Sequence, residues 1–332
     1  MADYEEKNVA NHPTDHPEAR WFPEAKLGLF SHWGIHSVAG IQPSWAMIRD
    51  YPYADTDAYP RERYYALACQ FAPNRYEPER WLAAAKEAGF TYAVLTTKHH
   101  DGYSLWPSEH AKLGVHTHLG GRDLVEPFVQ ACRNCGLKVG LYFSFGDWAW
   151  PGFPMNDCDF DHERRDQHPA MSPDEDQQQF DDFYAFAIAQ VEELLTGYGR
   201  IDLLWFDGVH WRSRNAEQMR SLETIEKVRS LQPHIVVNNR WGRVGDYVTP
   251  ECKLPEGPPK QWWETCMVSN GHWGYNPGNP LPEVDWWVEH RDRCNAWGGN
   301  FLPNVGPAPD GTMPDDFYER CKQLAEHPPA DG

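Results

Sequence analysis

The chain has 332 residues, of which 41% are hydrophobic and 24% charged, and these fractions are typical of a globular protein rather than a disordered one. It carries 49 acidic and 30 basic residues, a formal net charge of −19, which argues against nucleic acid or an anionic membrane as a partner, because both bind basic surfaces. No run approaches ~18 consecutive apolar residues, and the polar residues 1–22 do not resemble a signal peptide, so we expect no membrane span and a cytoplasmic location.

Apolar strand-like runs alternate with amphipathic helical segments along the chain. We predict strands at 25–34, 91–102, 138–148, 201–208 and 234–242, with weaker candidates at 262–267 and 298–307. The helices predicted between them cover 78–89, 121–136, 173–199, 216–233 and 282–298. Near-continuous apolar strands that alternate with helices are typical of buried parallel strands in βα units, so the fold class is α/β.

The strong strand candidates share a feature at their carboxyl ends. Each begins with apolar residues and ends in polar or aromatic ones, as in SHWG, KHHDG, FSFGDW, WFDG and NNRWG. In a closed parallel barrel all of these ends meet at one face, where the active site is built. A doubly wound sheet would gather such ends only near its switch point. We therefore predict a (β/α)8-like (TIM-type) barrel over 21–327, preceded by a polar N-terminal extension over 1–20.

Four of these end residues are candidates for chemistry. Asp207, which follows an apolar run, has the setting of a nucleophile or general base, although a helix-capping Asp at a βα junction explains it equally well. Adjacent strand residues point to opposite faces, so of His99 and His100 one should face the barrel interior and one the rim, unless the strand twists at its end. Arg240 needs a carboxylate partner at a barrel mouth, and Asp207 is the natural one.

Other residues suit a sugar pocket or a metal site. Glu251 and Glu264 stand where a second carboxylate could enter, and glycoside hydrolysis needs two carboxylates across one sugar. Five tryptophans could wall such a pocket, although core packing explains any single one of them better: Trp33, Trp45, Trp205, Trp241 and Trp273. A metal-dependent hydrolase would instead recruit His32, His99 and Asp207. The single CxxC, at Cys132 and Cys135, has no second pair of ligands and does not predict a zinc or redox site.

Taken together, these motifs resemble the α-L-fucosidases of glycoside hydrolase family 29. The matching stretches run from about residue 26 to 312 and include LGLFSHWGIHSV, YAVLTTKHHDGYSLW, GRDLV, LKVGLYFSFGDW, IDLLWFDG, NNRWG, WWETC, WGYN and GGNFLPNVGPAPDGT. The resemblance implies a (β/α)8-like barrel that cleaves terminal α-L-fucose from fucosides or fucosylated oligosaccharides with retention and without a cofactor or metal. Many members carry a C-terminal β-sandwich, whereas this chain is expected to be the catalytic domain only.

The resemblance also implies roles for individual residues. Asp207 matches the nucleophile, and Glu251, which lies 44 positions later, is the favoured acid/base, with Glu264 as the runner-up. The following residues match positions that bind fucose or position the nucleophile: His32, His99, His100, Tyr142 and Arg240. Phe30 and Trp205 match the wall against the C5 methyl of the sugar, and Trp45 and Trp273 are further candidates for the pocket wall.

Three alternatives stay open at this stage. The first is a related α-L-glycosidase, for example one that acts on α-L-galactosides. Many family members carry Glu where this chain has Ser44, and the change could loosen a contact to a sugar hydroxyl and shift sugar preference. A sugar-binding barrel without turnover is a second alternative. The metal-dependent barrel hydrolase is the third. The oligomeric state has no signature in the sequence.

Overall fold

The structure is a computed structural model that describes residues 12–49, 59–158, 160–161, 168–208, 211 and 214–329. Its strands are β1 (Gly28–Ser31), β2 (Tyr92–Lys98), β3 (Tyr103–Ser104), β4 (Leu113–Gly114), β5 (Lys138–Ser144), β6 (Leu203–Asp207), β7 (Val236–Val237), β8 (Glu264–Val268) and β9 (Asn300–Asn304). Its α-helices are α1 (Arg61–Ala66), α2 (Pro78–Glu87), α3 (Val115–His118), α4 (Val125–Asn134), α5 (Pro173–Gly197), α6 (Ser221–Leu231), α7 (Val284–Ala296) and α8 (Asp315–Ala325).

Seven strands form one parallel sheet in the order β7-β6-β5-β2-β1-β9-β8. Its two outer strands are joined through a further extended segment, residues 246–252. Parallel bridges connect Asn238 with Tyr247 on the β7 side, and Val248 with Trp263 and Glu251 with Cys266 on the β8 side. This segment takes the place of an eighth strand and closes the sheet into a ring. The (β/α)8-like barrel predicted from the sequence is therefore confirmed.

The ring departs from a regular barrel where it closes. No helix lies between β7 and the closing segment, all of whose residues are described, and side-chain hydrogen bonds hold the segment instead. Asp246 Oδ2 accepts from the Val237 amide at 2.7 Å, and its Oδ1 accepts from Arg229 Nη2 at 2.7 Å and from the Thr14 amide at 2.5 Å. Part of the predicted N-terminal extension therefore packs on the barrel, whereas the boundary between 20 and 21 stays a prediction.

Side chains alternate between the inside and the outside of the ring, as the period of two along a strand requires. From β2, Tyr92 and Val94 belong to the inner cluster, while Ala93 and Leu95 belong to the larger cluster between the strands and the surrounding helices. The ring is therefore filled below its mouth and is not an open channel.

All seven strands and all five helices predicted from the sequence are present, with the ends shifted by a few residues. Two short strands and three helices were not predicted: β3, β4, α1, α3 and α8. The two strands have only two residues each, too few to show an alternating pattern. Helix α8 did carry a signal, because Pro314 precedes it and Asp315 and Asp316 fill its first turn. No helix in the described part of the chain is long and apolar enough to cross a membrane.

Candidate active site

The carboxyl ends of the ring strands bring polar side chains together at one mouth. Strand register places Ser144 of β5 beside Asp207 of β6, and Phe30 of β1 beside Asn304 of β9. His99 and His100 follow β2 directly. Residues that are far apart in the sequence thus line a single pocket, because every parallel strand delivers its last residues to the same end.

Asp207 ends β6 with a carboxylate that is surrounded by donors. Tyr142 Oη donates to its Oδ2 at 3.0 Å, and Arg240 Nη1 lies 3.3 Å from its Oδ1. His100 Nε2 is 3.9 Å from Oδ2. Burial alone would raise the pKa of Asp207, but the charge of Arg240, together with His100, the Gly208 amide and the Tyr142 hydroxyl, holds it below its ordinary value. The carboxylate is therefore ionised, as a nucleophile requires.

Arg240 links the two carboxylates expected to act in catalysis. Its Nη1 lies 2.7 Å from Glu251 Oε2 as well as 3.3 Å from Asp207 Oδ1. The guanidinium plane is held from two further sides, by the Thr249 carbonyl at 3.2 Å from Nη2 and by the ring of Trp205, whose centroid is 4.7 Å from Cζ. The pairing of Arg240 with Asp207 that the sequence predicts is present.

The two candidates for the acid/base lie in different surroundings. Glu251 belongs to the closing segment and reaches the mouth, where its side chain is 43% exposed. Glu264 is the first residue of β8 and is fully buried inside the ring. Its carboxylate accepts hydrogen bonds from Trp205 Nε1 at 3.0 Å and from Tyr92 Oη at 2.5 Å. Burial raises the pKa of Glu264 to about 7. Tyr92 is the first residue of β2, so this carboxylate lies towards the end of the ring opposite the mouth.

His99 and His100 both face the pocket, contrary to the expectation that alternation would separate them. The register of β2 against β5 shifts between Thr96 and Lys98, and the strand ends before both rings. The two rings are therefore 4.0 Å apart. His99 stacks on Tyr142 with the ring planes 2° apart, whereas His100 approaches Asp207.

His32 completes the group of pocket histidines. Its Nδ1 atom is 2.7 Å from Asn304 Oδ1, and its ring is 5.7 Å from that of His99. Burial lowers the pKa of His32 to about 3 and that of His99 well below its ordinary value. Both rings are neutral at physiological pH, and each offers one donor and one acceptor.

Aromatic rings form one side of the pocket. Phe30 lies 5.2 Å from Trp205, 6.0 Å from Trp273 and 4.4 Å from His32, measured between ring centroids. Trp45 packs edge-on against His100, with the ring centroids 5.1 Å apart. The four residues Phe30, Trp45, Trp205 and Trp273 therefore lie beside the polar groups of the pocket. Such apolar faces suit the flat, less polar side of a sugar.

Two further tryptophans considered for the wall belong to the core. Trp33 packs against Tyr76 at 4.6 Å and donates from Nε1 to the Ala308 carbonyl. Trp241 stacks on Phe145 at 3.5 Å and donates to Thr224 of α6. Both belong to the larger cluster between the strands and the surrounding helices, whereas Trp205 belongs to the inner cluster.

Three residues that support the pocket were not predicted from the sequence. Asn304 holds His32, Ser144 lies 2.7 Å from His100 Nδ1, and the Trp148 amide donates to the His100 carbonyl at 2.7 Å. Asn304 and Ser144 are the last residues of β9 and β5. The rule that strand ends build the site would have found both if it had been applied to every strand.

Three side chains of this pocket are close enough together to hold a metal ion. His99, His100 and Asp207 each offer one ligand atom, and these atoms lie within 4.8 Å of one another. His32, which the metal alternative invoked, is not part of this group. Arg240 is 3.3 Å from the only carboxylate of the set, and its positive charge opposes the binding of a cation.

Comparisons with known proteins identify similar chains. The family model described as alpha-L-fucosidase matches residues 2–332. The tissue alpha-L-fucosidase of Rattus norvegicus is 30% identical over 330 residues, which are 92% of this chain and 66% of that protein. The chain thus spans slightly less than two thirds of this relative.

Two solved structures are similar over most of the chain. Alpha-L-fucosidase isoenzyme 1 from Paenibacillus thiaminolyticus has a TM-score of 0.80 and 30% identity, and the match covers 94% of this chain and 75% of that one. An alpha-L-fucosidase from Bacteroides thetaiotaomicron, solved as a trapped covalent intermediate with 2-fluoro-fucosyl fluoride, has a TM-score of 0.78 and 26% identity. That match covers 97% of this chain and 77% of the other.

Proposed function

The chain belongs to the alpha-L-fucosidase family, and we propose that it is a retaining exo-glycosidase that hydrolyses terminal α-L-fucose from fucosides or fucosylated oligosaccharides. The observation that carries the proposal is the pair of carboxylates, Asp207 and Glu251, held by one guanidinium at the mouth of the barrel. A retaining glycosidase needs two carboxyl groups ~5–5.5 Å apart. Contacts of 3.3 and 2.7 Å to the same nitrogen are compatible with that separation.

Asp207 acts as the nucleophile. Its carboxylate oxygen forms a bond to the anomeric carbon, while the bond from that carbon to the aglycone oxygen breaks and the electron pair leaves with the oxygen. Two observations support this role: the charge of Arg240 lowers the pKa of Asp207, and Tyr142 donates a hydrogen bond to the carboxylate. The product of this step is a fucosyl ester of Asp207.

Glu251 acts as the acid/base. As a carboxylic acid it donates its proton to the departing aglycone oxygen, and as a carboxylate it then takes a proton from the water that attacks the ester. The 2.7 Å contact with Arg240 Nη1 holds the Glu251 side chain beside Asp207. Exposure of Glu251 at the mouth supports the role, since the aglycone and the water both approach from that side.

Glu264 has a structural role in this proposal. Its carboxylate is enclosed and accepts hydrogen bonds from Tyr92 and from Trp205, whose ring also lies under the Arg240 guanidinium. A carboxyl group towards the far end of the ring cannot reach a leaving group at the mouth. The runner-up candidate thus supports the floor of the pocket.

Fucose is preferred over its 6-hydroxylated counterpart, L-galactose. Phe30 and Trp205 form an apolar wall with their rings 5.2 Å apart, which suits a methyl substituent on C5. A hydroxyl group pressed against these rings would lose hydrogen bonds to water without replacement.

Hydrolysis of an aryl α-L-fucoside by the purified chain tests the function. We expect turnover that EDTA leaves unchanged and that Asp207→Asn, an isosteric change, lowers by at least roughly a thousandfold. Loss of turnover in EDTA, restored by a divalent metal, would favour the metal-dependent hydrolase. Binding of fucose without turnover of aryl fucosides, fucosylated oligosaccharides or α-L-galactosides would favour the sugar-binding barrel.

Other expectations from the sequence remain predictions. They are the cytoplasmic location, the absence of nucleic acid and membrane partners, and the division into an extension over 1–20 and a barrel over 21–327.

A further inference from the structure

Ser44 lies beside the pocket in an unusual backbone conformation. It is fully buried, with φ 56° and ψ −53°. The Trp45 amide donates to the Pro43 carbonyl at 2.5 Å, which closes a three-residue γ-turn around Ser44. The positive-φ form of this turn is rare and strained, and a residue other than glycine persists in it only when its surroundings hold it there. The surroundings of Ser44 therefore need an explanation.

A ring of hydrogen bonds fixes the Ser44 side chain. The Ser44 amide donates to Tyr64 Oη at 2.7 Å, and Tyr64 Oη donates to Asp101 Oδ2 at 2.7 Å. The Asp101 amide in turn donates to Ser44 Oγ at 2.8 Å. A further contact connects this hydrogen-bonded ring with the pocket: Ser44 Oγ lies 2.6 Å from His99 Nδ1.

The number of hydrogens available decides the direction of that last hydrogen bond. Ser44 Oγ accepts from the Asp101 amide and still has one hydroxyl hydrogen to donate. Among the described residues its one remaining contact is His99 Nδ1, so the hydroxyl donates to this nitrogen. A buried hydroxyl that donated to nothing would be costly. Burial keeps His99 neutral, and its single ring hydrogen then lies on Nε2.

The two other histidines carry a hydrogen on the opposite nitrogen, Nδ1. Asn304 Oδ1 can only accept, so His32 Nδ1 donates to it, and the orientation of the amide is fixed by the bond from Asn304 Nδ2 to the Trp273 carbonyl at 2.7 Å. Ser144 donates its hydroxyl hydrogen to the Gly146 carbonyl at 2.6 Å, so His100 donates from Nδ1 to Ser144. His32, which burial keeps neutral, then carries an acceptor at Nε2.

We propose that Ser44 is a positioning residue that fixes neutral His99 in the Nε2–H form, so that His99 is a donor at Nε2 where His32 is an acceptor. The Nε2 atoms of His32 and His99 have no hydrogen-bond partner among the described residues and are not fully enclosed, so both are accessible to a ligand in the pocket. The sugar oxygen at His99 must then accept a hydrogen bond, whereas the hydroxyl at His32 must donate one. The statement about the sugar rests on the proposed function, but the position of the hydrogen on the His99 ring does not.

Which nitrogen of the His99 ring carries the hydrogen can be measured without an activity assay. Two-bond 1H–15N correlation spectra of protein labelled with 15N-histidine distinguish Nε2–H from Nδ1–H rings. The His99 signal is identified by its loss in His99→Gln and the His32 signal by its loss in His32→Gln. We expect Nε2–H for His99 and Nδ1–H for His32. An Nδ1–H ring at His99 in the unmodified protein would overturn the proposal, whether or not the protein is a fucosidase.

Substitutions at Ser44 separate the hydroxyl from the strained backbone. Ser44→Ala and Ser44→Gly both remove the hydrogen bond to His99, but glycine also fits the positive φ. We expect both variants to lose the pure Nε2–H form and to raise KM for an aryl α-L-fucoside about tenfold or less, with a smaller change in kcat. Ser37→Ala is the matched control, because Ser37 is also buried but donates to the Gly34 carbonyl and contacts no pocket histidine. Wild-type KM and an unchanged His99 ring in Ser44→Gly would show that only the backbone matters and would overturn the proposal.

Discussion

The hydroxyl of Tyr142, on strand β5, donates a 3.0 Å hydrogen bond to Oδ2 of Asp207, the last residue of the adjacent strand β6. The same phenol ring stacks on His99 on one side and on Trp205 on the other. Tyr142 thus binds the proposed nucleophile, Asp207, and its own ring is packed between His99 and Trp205. Its orientation is set by packing, so its hydrogen bond is in place before substrate arrives.

Tyr142→Phe should slow the reaction and shift its pH dependence. The variant keeps the ring contacts but loses the donor to Asp207, which raises the pKa of this carboxyl. Because the nucleophile must be ionised, the acidic limb of the kcat/KM profile should move to higher pH. A lost hydrogen bond to a charged group corresponds to roughly a 10- to 150-fold fall in kcat/KM. Tyr92→Phe is the control, since Tyr92 bonds to Glu264 instead, and its acidic limb should stay in place. An unchanged limb in Tyr142→Phe would contradict the assignment.

Glu251→Ala should show whether Glu251 is the acid. Without an acid, fucosides with poor leaving groups should slow by roughly 10²–10⁴, whereas activated aryl fucosides should be much less affected in the first step. The measurement is kcat/KM against the pKa of the leaving phenol, which should become steeper in Glu251→Ala. Glu264→Gln should keep the wild-type slope. A steeper slope in Glu264→Gln and none in Glu251→Ala would reverse the two assignments.

Glu264 should make the folded protein less stable as the pH rises. Burial raises its pKa from 4.5 to about 7, so the folded state keeps a proton that the unfolded chain releases. The stabilisation is present in full below pH 4.5 and is lost as the pH rises through about 7. Glu264→Gln cannot ionise, so its free energy of unfolding relative to wild type should increase between about pH 5 and about pH 8.5 in urea titrations. A pH-independent difference between the two proteins would contradict the burial of this carboxyl.

Removing one partner of the buried ion pair between Lys98 and Asp147 should lower the stability of the fold. Lys98 Nζ lies 2.9 Å from Asp147 Oδ2, and neither side chain is exposed. Lys98→Met removes the cation beside the buried carboxyl group of Asp147, which should lower the free energy of unfolding by about 3–5 kcal/mol. Lys98→Met combined with Asp147→Asn should lose clearly less, because Asn keeps the oxygen that accepts from the Ala149 and Trp150 amides. Equal losses in the single and double variants, measured by chemical denaturation, would contradict this explanation.

The sequence was sufficient for the architecture and for the residues at strand ends. The buried strands form near-continuous apolar runs, so Asp207, His99 and Arg240 could be placed at the mouth without a structure. The position of Glu264 was also readable, because this residue stands near the start of its predicted strand and therefore away from the mouth.

Contacts made by irregular segments could not be predicted. Glu251 comes from the closing segment, where Pro250 and the absence of an apolar run hide the strand-like pairing. Ser44 reaches His99 across 55 positions through a γ-turn, and no residue pattern around Ser44 encodes that turn. The stacking of Arg240 on Trp205 likewise depends on how the ring closes. These contacts depend on tertiary packing, which the local pattern does not contain.

The most direct test of the account is to trap the covalent intermediate. Glu251→Gln, incubated with 2-fluoro-fucosyl fluoride, should gain the mass of one 2-fluoro-fucosyl group. Fluoride leaves without help from an acid, whereas hydrolysis of the ester needs a base, so the ester accumulates. Digestion and tandem mass spectrometry should place the group on the carboxylate of Asp207 in the peptide that contains LLWFDG. A label on any other residue, or turnover of this substrate without a label, would contradict a double displacement through Asp207.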